Sequence, residues 1–317
     1  MEDAYSRSAV GLDERELSEY YDARYSGDYM EGQPALEVMR VEQLLREAGQ
    51  PRSVLDFGCG RGGWVALLER AFPDAEIVGV DISATAIEGA KASFPRHSFH
   101  TLGGDKVPLP DESVELVFSY HVLEHVLDVD AAVAEIARVL APGGRAAVIF
   151  PCGNPGSLEE RIVRRYPGGI DPVSGRFFHE DPSHLRRLTT ADTAELFERQ
   201  GMALTTDWHA NQLWGGVDWL ARVGKPATGE LLRDRRALRL TFAVLTPVMQ
   251  AYALARPVER IRSARGPAEK LRWTAALLAH ALAYPVGRVV EGLARREWER
   301  DRGRPNGSAQ YLLFEKR

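Results

Sequence analysis

The chain has 317 residues, 44% of them apolar and 27% charged, with 29 glycines, 18 prolines and two cysteines. That length suits one elaborated α/β domain or a domain with a large insertion, and the composition excludes a disulfide-stapled mini-protein or a low-complexity chain. The net charge of −5 conceals an asymmetry: residues 1–221 carry 20 basic and 36 acidic side chains and residues 222–317 carry 20 and 9, so the last third has a surface character of its own.

In chain order, residues 13–48 read as one or two helices, with Tyr20, Tyr21, Tyr25 and Tyr29 in the first part and the stripe Leu36, Met39, Leu44, Leu45 in the second. A short strand over 53–57 enters a glycine-rich turn, and a helix is expected to open near Gly62 with Trp64, Val65, Leu67 and Leu68 on its apolar face. A second strand covers 76–81, and Ser83 is placed to cap a helix over 84–93. A short strand near 98–102 leads into Val107-Pro-Leu-Pro-Asp-Glu-Ser113, followed by a strand over 114–120. Asp128 or Asp130 caps a helix reaching Leu140, stopped by Pro142-Gly-Gly144, and 145–150 is an apolar run of the kind buried on both faces of a sheet. Thr190 is placed to cap a helix over 191–200, 202–208 reads as a sixth strand, and the alternating tail 309–315 as a last one. There is no internal repeat. Strands alternating with helices imply a doubly wound parallel sheet.

The densest signal is Val54-Leu-Asp-Phe-Gly-Cys-Gly-Arg-Gly-Gly-Trp64. Gly58, Gly60 and Gly62 allow the backbone to approach a ligand where a Cβ would collide, and a following helix would aim free N–H groups at the same spot. Gly58, Gly60 and Gly63 also satisfy the dinucleotide pattern G-x-G-x-x-G, so a nicotinamide-dependent oxidoreductase is one alternative. Against it stands Asp56, two residues before the first glycine, where a carboxylate suits an ammonium group and disfavours a pyrophosphate. Asp81 ends the next strand 25 residues later, placed to accept from two ribose hydroxyls. Strands one, two and four end at Asp56, Asp81 and Ser119, and ligands of such sheets bind beyond the carboxyl ends of their strands.

With Val114-Glu-Leu-Val-Phe-Ser-Tyr-His-Val-Leu-Glu-His-Val126 and Ala134-Glu-Ile-Ala-Arg-Val-Leu-Ala-Pro-Gly-Gly144 added, the chain resembles the class I S-adenosylmethionine-dependent methyltransferases, most closely the small-molecule branch that includes the ubiquinone and menaquinone methyltransferases. The likeness is dense over 50–152, weakens to about 208 and resumes in the last few residues. It implies a seven-stranded Rossmann-like sheet whose last strand is antiparallel and inserted between strands five and six. By family position, Gly58, Cys59 and Gly60 would carry the methionine part of the cofactor, Asp81 the ribose and Ile82 one face of the adenine. Asp105 stands slightly late of the acid that relatives place against adenine. Relatives also lay an N-terminal helix over the cofactor, so Tyr20, Tyr21 or Tyr25 would close it, unless that aromatic cluster is ordinary packing.

Methyl transfer requires alignment, exclusion of water and, for a hydroxyl acceptor, removal of a proton. His121 is the first candidate base. His125 is read as a brace for the loop, and if this stretch is helical the two share a face at i and i+4, a metal-pair spacing without a third ligand, so no metal is expected. His179, Asp181 and His184 lie on the loop that covers the active site in relatives, and His179 and His184 are further catalytic candidates. The expected acceptor is a small molecule or lipid-linked metabolite, O-methylation ahead of N- or C-methylation, and nucleic acid is not expected as a partner. A non-catalytic protein on the same fold is a further alternative. Met1-Glu-Asp-Ala lacks the basic and apolar runs of a secretory signal, and Cys59 and Cys152 form neither a disulfide framework nor a zinc spacing, so a reducing cytoplasm is the expected setting.

The expected organisation is a helical cap over 1–50, the cofactor domain over 51–213, a basic helical insertion over 214–305, and a final strand over 306–317. Within the insertion, 240–255 and 273–287 are uncharged runs bracketed by arginines, too short to span a bilayer, containing Pro247 and Pro285. They read first as a lid or dimer surface, and alternatively as a peripheral attachment to the inner face of a membrane.

Overall fold

The computed structural model describes residues 9–27, 29, 32–103, 106–223, 236–253 and 257–317. Two helices open it: α1 (Glu14–Tyr25), started by an Asp13–Glu16 capping box, and α2 (Ala35–Glu47). Then come β1 (Ser53–Phe57), α3 (Val65–Ala71), β2 (Glu76–Asp81), α4 (Ala84–Ser93), β3 (Ser98–Thr101) and β4 (Val114–Tyr120). They are followed by α5 (Val129–Val139), β5 (Leu140–Pro151), α6 (Leu158–Val163), α7 (Thr190–Glu198), β6 (Met202–Ala210) and α8 (Trp214–Val223). The chain ends in α9 (Arg236–Tyr252), α10 (Pro257–Ser263), α11 (Pro267–Asp301) and β7 (Ala309–Lys316).

The seven strands form one sheet in the order β3-β2-β1-β4-β5-β7-β6. The ladders from β3 to β5 are parallel, and β7 runs antiparallel to β5 from Arg145↔Glu315 to Pro151↔Ala309. This is the Rossmann-like sheet implied by the sequence, with a helical insertion before the last strand. Sequence order reverses between β1 and β4, so the switch point lies beside the glycine turn. Alternation fills both faces: Leu55, Val80, Val117, Val148 and Phe314 pack with Val133 and Ile136 of α5 and Phe197 of α7. On the other face Trp64 meets the Phe118 ring at 5.9 Å and the Tyr120 ring at 4.6 Å.

Several boundaries differ from expectation. Helix α3 begins at Val65 rather than near Gly62, because Gly58, Gly60 and Gly62 all hold positive φ (80°, 52° and 80°) and carry the chain out of helical geometry. Asp128, not Asp130, caps α5, accepting from Ala131 N. Thr189, not Thr190, caps α7 through a capping box with Asp192. Thr190 Oγ1 instead takes a hydrogen bond from Asn154 Nδ2 at 2.9 Å.

The chain divides into two compact units, residues 1–154 with 170–208 and 309–317, and residues 155–169 with 209–308. The second unit is helical. Its centre is the α11 carboxylate Glu297, whose two oxygens accept the backbone N–H groups of Leu213, Trp214 and Gly215 at 2.7–3.0 Å and so cap α8. Tyr252 of α9 lies flat against Gly287 of α11, where an added Cβ would stand 2.2 Å from the ring. No helix among the described residues is long and apolar enough to cross a membrane.

Candidate functional site

Asp56, Asp81 and Ser119 lie at the carboxyl ends of the adjacent strands β1, β2 and β4, and all three are buried. The turn after β1 is tied down by Gly58 N and Cys59 N, both donating to Val80 O at 2.8 and 2.9 Å. Asp81 accepts from Gly60 N at 2.8 Å and from Ser83 N at 2.9 Å, so one carboxylate joins the first turn to the second. The glycines are required by close approach: a Cβ on Gly58 would stand 2.2 Å from Val122 Cγ2, and one on Gly60 would stand 2.6 Å from the Tyr25 hydroxyl. The turns after β1 and β4 and helix α1 therefore converge on one cradle.

Asp56 has no satisfied role in this cradle. Its Oδ2 is buried without a hydrogen-bond partner, as is Ser119 Oγ. Burial, reinforced by the Asp81 charge, pushes the Asp56 carboxyl up to about 8. Asp81 rises less, to about 6, because burial is opposed by the N–H groups of Ser83 and Gly60. An orphaned acceptor behind a glycine turn fits a ligand with a cationic donor. Cys59 and Cys152 are both free and buried. Ile82 is half-buried against the tyrosine cluster, and Ser18 Oγ donates to its carbonyl at 2.9 Å. Asp105 lies outside the described residues.

Helix α1 is fastened over this region. Asp22 Oδ1 accepts from Ser83 Oγ at 2.6 Å and from Thr85 N at 2.9 Å, joining α1 to the start of α4. Arg24 makes a two-pronged pair with Asp181 at 2.7 and 2.8 Å and donates to Tyr20 Oη. Tyr20, Tyr21 and Tyr25 form one buried cluster that packs on Ala86 and Ile82, and among them Tyr25 overlies the glycine turn.

The residues after β4 do not form a helix, so His121 and His125 do not share a helical face. His121 instead takes a left-handed conformation, φ 54°, while its N–H donates to Ile149 O at 2.8 Å. Such a backbone in a non-glycine residue is strained by about 1–3 kcal/mol and persists only where its surroundings enforce it. The turn brings His121 Nδ1 to 2.8 Å from Oε1 of Glu124, which is fully buried. Burial works against the Glu124 charge, but His125 and His121 outweigh it and hold the carboxyl down to about 2. An ionised carboxylate only accepts, so His121 donates from Nδ1 and leaves Nε2 as the basic nitrogen. Glu124 in turn raises the His121 imidazolium against the opposing effect of burial.

His125 donates from Nδ1 to Ser183 O at 3.1 Å and is pushed down to about 4, chiefly by burial. The His184 ring lies 4.8 Å from it, with Nδ1 3.2 Å from Glu180. Glu124, His125 and His184 each bring a ligand-type atom within 4.8 Å of the others, a cluster that leaves out His121 and so is not the His121–His125 pair of the sequence spacing. His125 Nε2 stands 3.7 Å from Glu124 Oε1, against roughly 3.3 Å between donors around a zinc ion at about 2 Å. His179 stands apart from this group, its ring against Phe177 and Phe178. Asp181 is engaged by Arg24, which with two Ser183 donors holds its carboxyl far below the usual range despite burial. The sequence reading missed Glu124 as the partner that orients His121. The i, i+3 spacing was its only local signal, and the left-handed turn that closes it is not legible from composition.

Residues 55–148 match a family model described as a methyltransferase domain. A probable S-adenosylmethionine-dependent methyltransferase of Mycolicibacterium smegmatis is 32% identical over 161 residues, covering 51% of this chain and 56% of that protein. Residues 55–148 therefore form a methyltransferase domain. A ubiquinone/menaquinone biosynthesis C-methyltransferase of Desulfotalea psychrophila is 34% identical over 150 residues, 46% of this chain and 61% of that one. A trans-aconitate 2-methyltransferase of Methylobacterium radiotolerans is 37% identical over 127 residues, 37% and 48%. The chain thus spans about half the length of these relatives. Among solved structures, the 4+2 cyclase SpnF is 15% identical, with a TM-score of 0.51 over 98% of this chain and 99% of that one, a likeness of fold alone. The methyltransferase domain places its glycine turn and both strand-end acids inside the matched span.

Proposed function

We propose that the protein transfers a methyl group from S-adenosylmethionine to a small-molecule or lipid-linked acceptor, with a hydroxyl as the favoured nucleophile. The observation that carries this reading is the joint geometry of the cradle: a buried, unpartnered Asp56 oxygen beside the Gly58–Gly60 turn, facing a turn that delivers an oriented histidine. The bound cofactor would supply a methyl activated by a positively charged sulfur. Asp56 and the turn would hold its amino-acid end, Asp81 its ribose hydroxyls and Ile82 its adenine face.

The chain's own residues then have limited tasks. The tyrosine cluster of α1 excludes water from the cradle, which strengthens every charge interaction within it. His121 Nε2 would accept the proton of the acceptor hydroxyl, and Glu124 would stabilise the resulting imidazolium through Nδ1. His184 is the second candidate for contact with the acceptor, through its place beside His125.

Calorimetry with S-adenosylmethionine and, separately, with NADH and NADPH tests the cofactor. Binding of the first with no heat from the other two is expected, and the reverse result would overturn the reading. Turnover of labelled S-adenosylmethionine with a panel of hydroxyl, amine and activated-carbon acceptors tests the reaction, with label appearing first on the hydroxyl compounds.

A further inference from the structure

Helix α11 carries an exposed apolar face that the proposed chemistry does not use. Leu271, Leu278, Leu282 and Val289 are 71%, 63%, 82% and 63% exposed. Their spacing of i, i+7, i+11 and i+18 sets them in one line along the helix. The opposite face already has its partners, with Ala283, Gly287 and Val290 buried. The helix is therefore apolar all round over its middle turns, although only one side is covered. Scattered exposed leucines are ordinary, but a continuous line of them marks a surface meant to be covered.

Charge decides what covers it. Residues 270–290 contain no acid, and the line is flanked at its start by Lys270 and Arg272, while Arg288 at its other end is paired with Glu291 at 3.3 Å. Over 236–290 there are nine basic and two acidic side chains. In a two-fold contact between two copies the same patch meets itself, so this surplus of positive charge would face its own image. An anionic lipid surface neutralises the cations and receives the leucines in its headgroup region. We propose that this face of α11 is a docking surface for an anionic lipid membrane, lying in its plane rather than crossing it.

Co-sedimentation of the full chain with vesicles of phosphatidylglycerol and phosphatidylcholine in equal parts tests this, with pure phosphatidylcholine vesicles alongside. The protein is expected to pellet with the mixed vesicles, to remain in solution with the neutral ones, and to be partly released by salt. Leu278→Gln with Leu282→Gln should weaken the binding by about tenfold or more, since two anchoring side chains leave the apolar region. Lys270→Gln with Arg272→Gln should weaken it comparably and flatten its salt dependence. The substituted residues are exposed, so melting and binding of S-adenosylmethionine should be unchanged, and the second variant tests the surface even if the first folds poorly. No binding to mixed vesicles, or equal binding to neutral ones, would overturn the proposal. So would a dimer in light scattering that the leucine variant converts to monomer, which would assign the face to a second copy.

Discussion

Asp56 of β1 and Glu297 of α11 are both buried carboxylates, one in the sheet unit and one in the helical unit, and they differ in what they lack. Glu297 receives three backbone N–H groups and completes the start of α8. Asp56 keeps a buried oxygen without a partner, and its carboxyl rises to about 8. An acid satisfied by its own chain holds the fold together. One left unsatisfied stores a cost that a ligand can relieve.

The chemical step should separate the two regions most widely. His121→Ala is expected to slow single-turnover methyl transfer by about 10²–10⁴ without changing cofactor affinity, and Glu297→Gln to leave that rate unaltered. A wild-type rate in the His121 variant would make the histidine a scaffold residue. Glu124→Gln tests the orienting role: it should lower kcat and shift the pH profile to lower values, because the imidazole loses the charge that raises it.

The next largest effect concerns binding. Asp56→Asn or Asp81→Ala should weaken S-adenosylmethionine by roughly 10- to 150-fold, the equivalent of about 1.5–3 kcal/mol for a lost charge-assisted hydrogen bond. Asp56→Asn should do so without loss of apo stability, which calorimetric titration and thermal melts can establish together. An unaltered affinity would place the ammonium elsewhere.

Glu297→Ala reverses that pattern. It strips three N–H groups of their acceptor and should lower unfolding stability by about 1.5–3 kcal/mol, while S-adenosylmethionine affinity stays within error of wild type. Denaturant titration followed by far-ultraviolet dichroism would read it.

The smallest effect is a slope with pH. The folded protein keeps a proton on Asp56 up to about 8, whereas the unfolded chain releases it near the ordinary carboxyl value of 3.8. A raised folded pKa means stability that is fully present below the unfolded value and lost as pH rises through the folded one. His125 acts in the opposite direction below the ordinary imidazole value of 6.5, where its depressed folded pKa costs stability as pH falls towards about 4. The clean window is therefore between about pH 6.5 and 8, where the apo melting temperature should decline. His121, raised from 6.5, adds to the same decline. Asp56→Asn should flatten the slope, and saturating S-adenosylmethionine should do likewise. A slope that survives in the Asn variant would assign it to the histidine.

The sheet was legible because its signals are local. Glu76–Asp81 is a strand by its short apolar run, buried on both faces, and ends in an acid, and Ser83 caps the next helix with its own side chain. The site was legible only in part. Asp56, Asp81 and Ser119 could be read as converging because strand ends converge in any doubly wound sheet. The partnership of His121 with Glu124, and of His125 with His184, could not. The first depends on a left-handed residue, which stays uncommon even for histidine, and the second joins chain segments 59 residues apart.

What the sequence determined by itself was the type of sheet, the glycine turn with its two acids, and the basic character of the last third, since periodicity, backbone permissiveness and charge belong to the residues wherever they fold. Only the tertiary structure decided which buried acid is satisfied and which is not. It showed Asp181 spent on Arg24, Glu124 orienting His121, and one side of α11 left bare. Those properties depend on which groups are left without neighbours once the backbone has closed, and a neighbour in space carries no mark in the sequence.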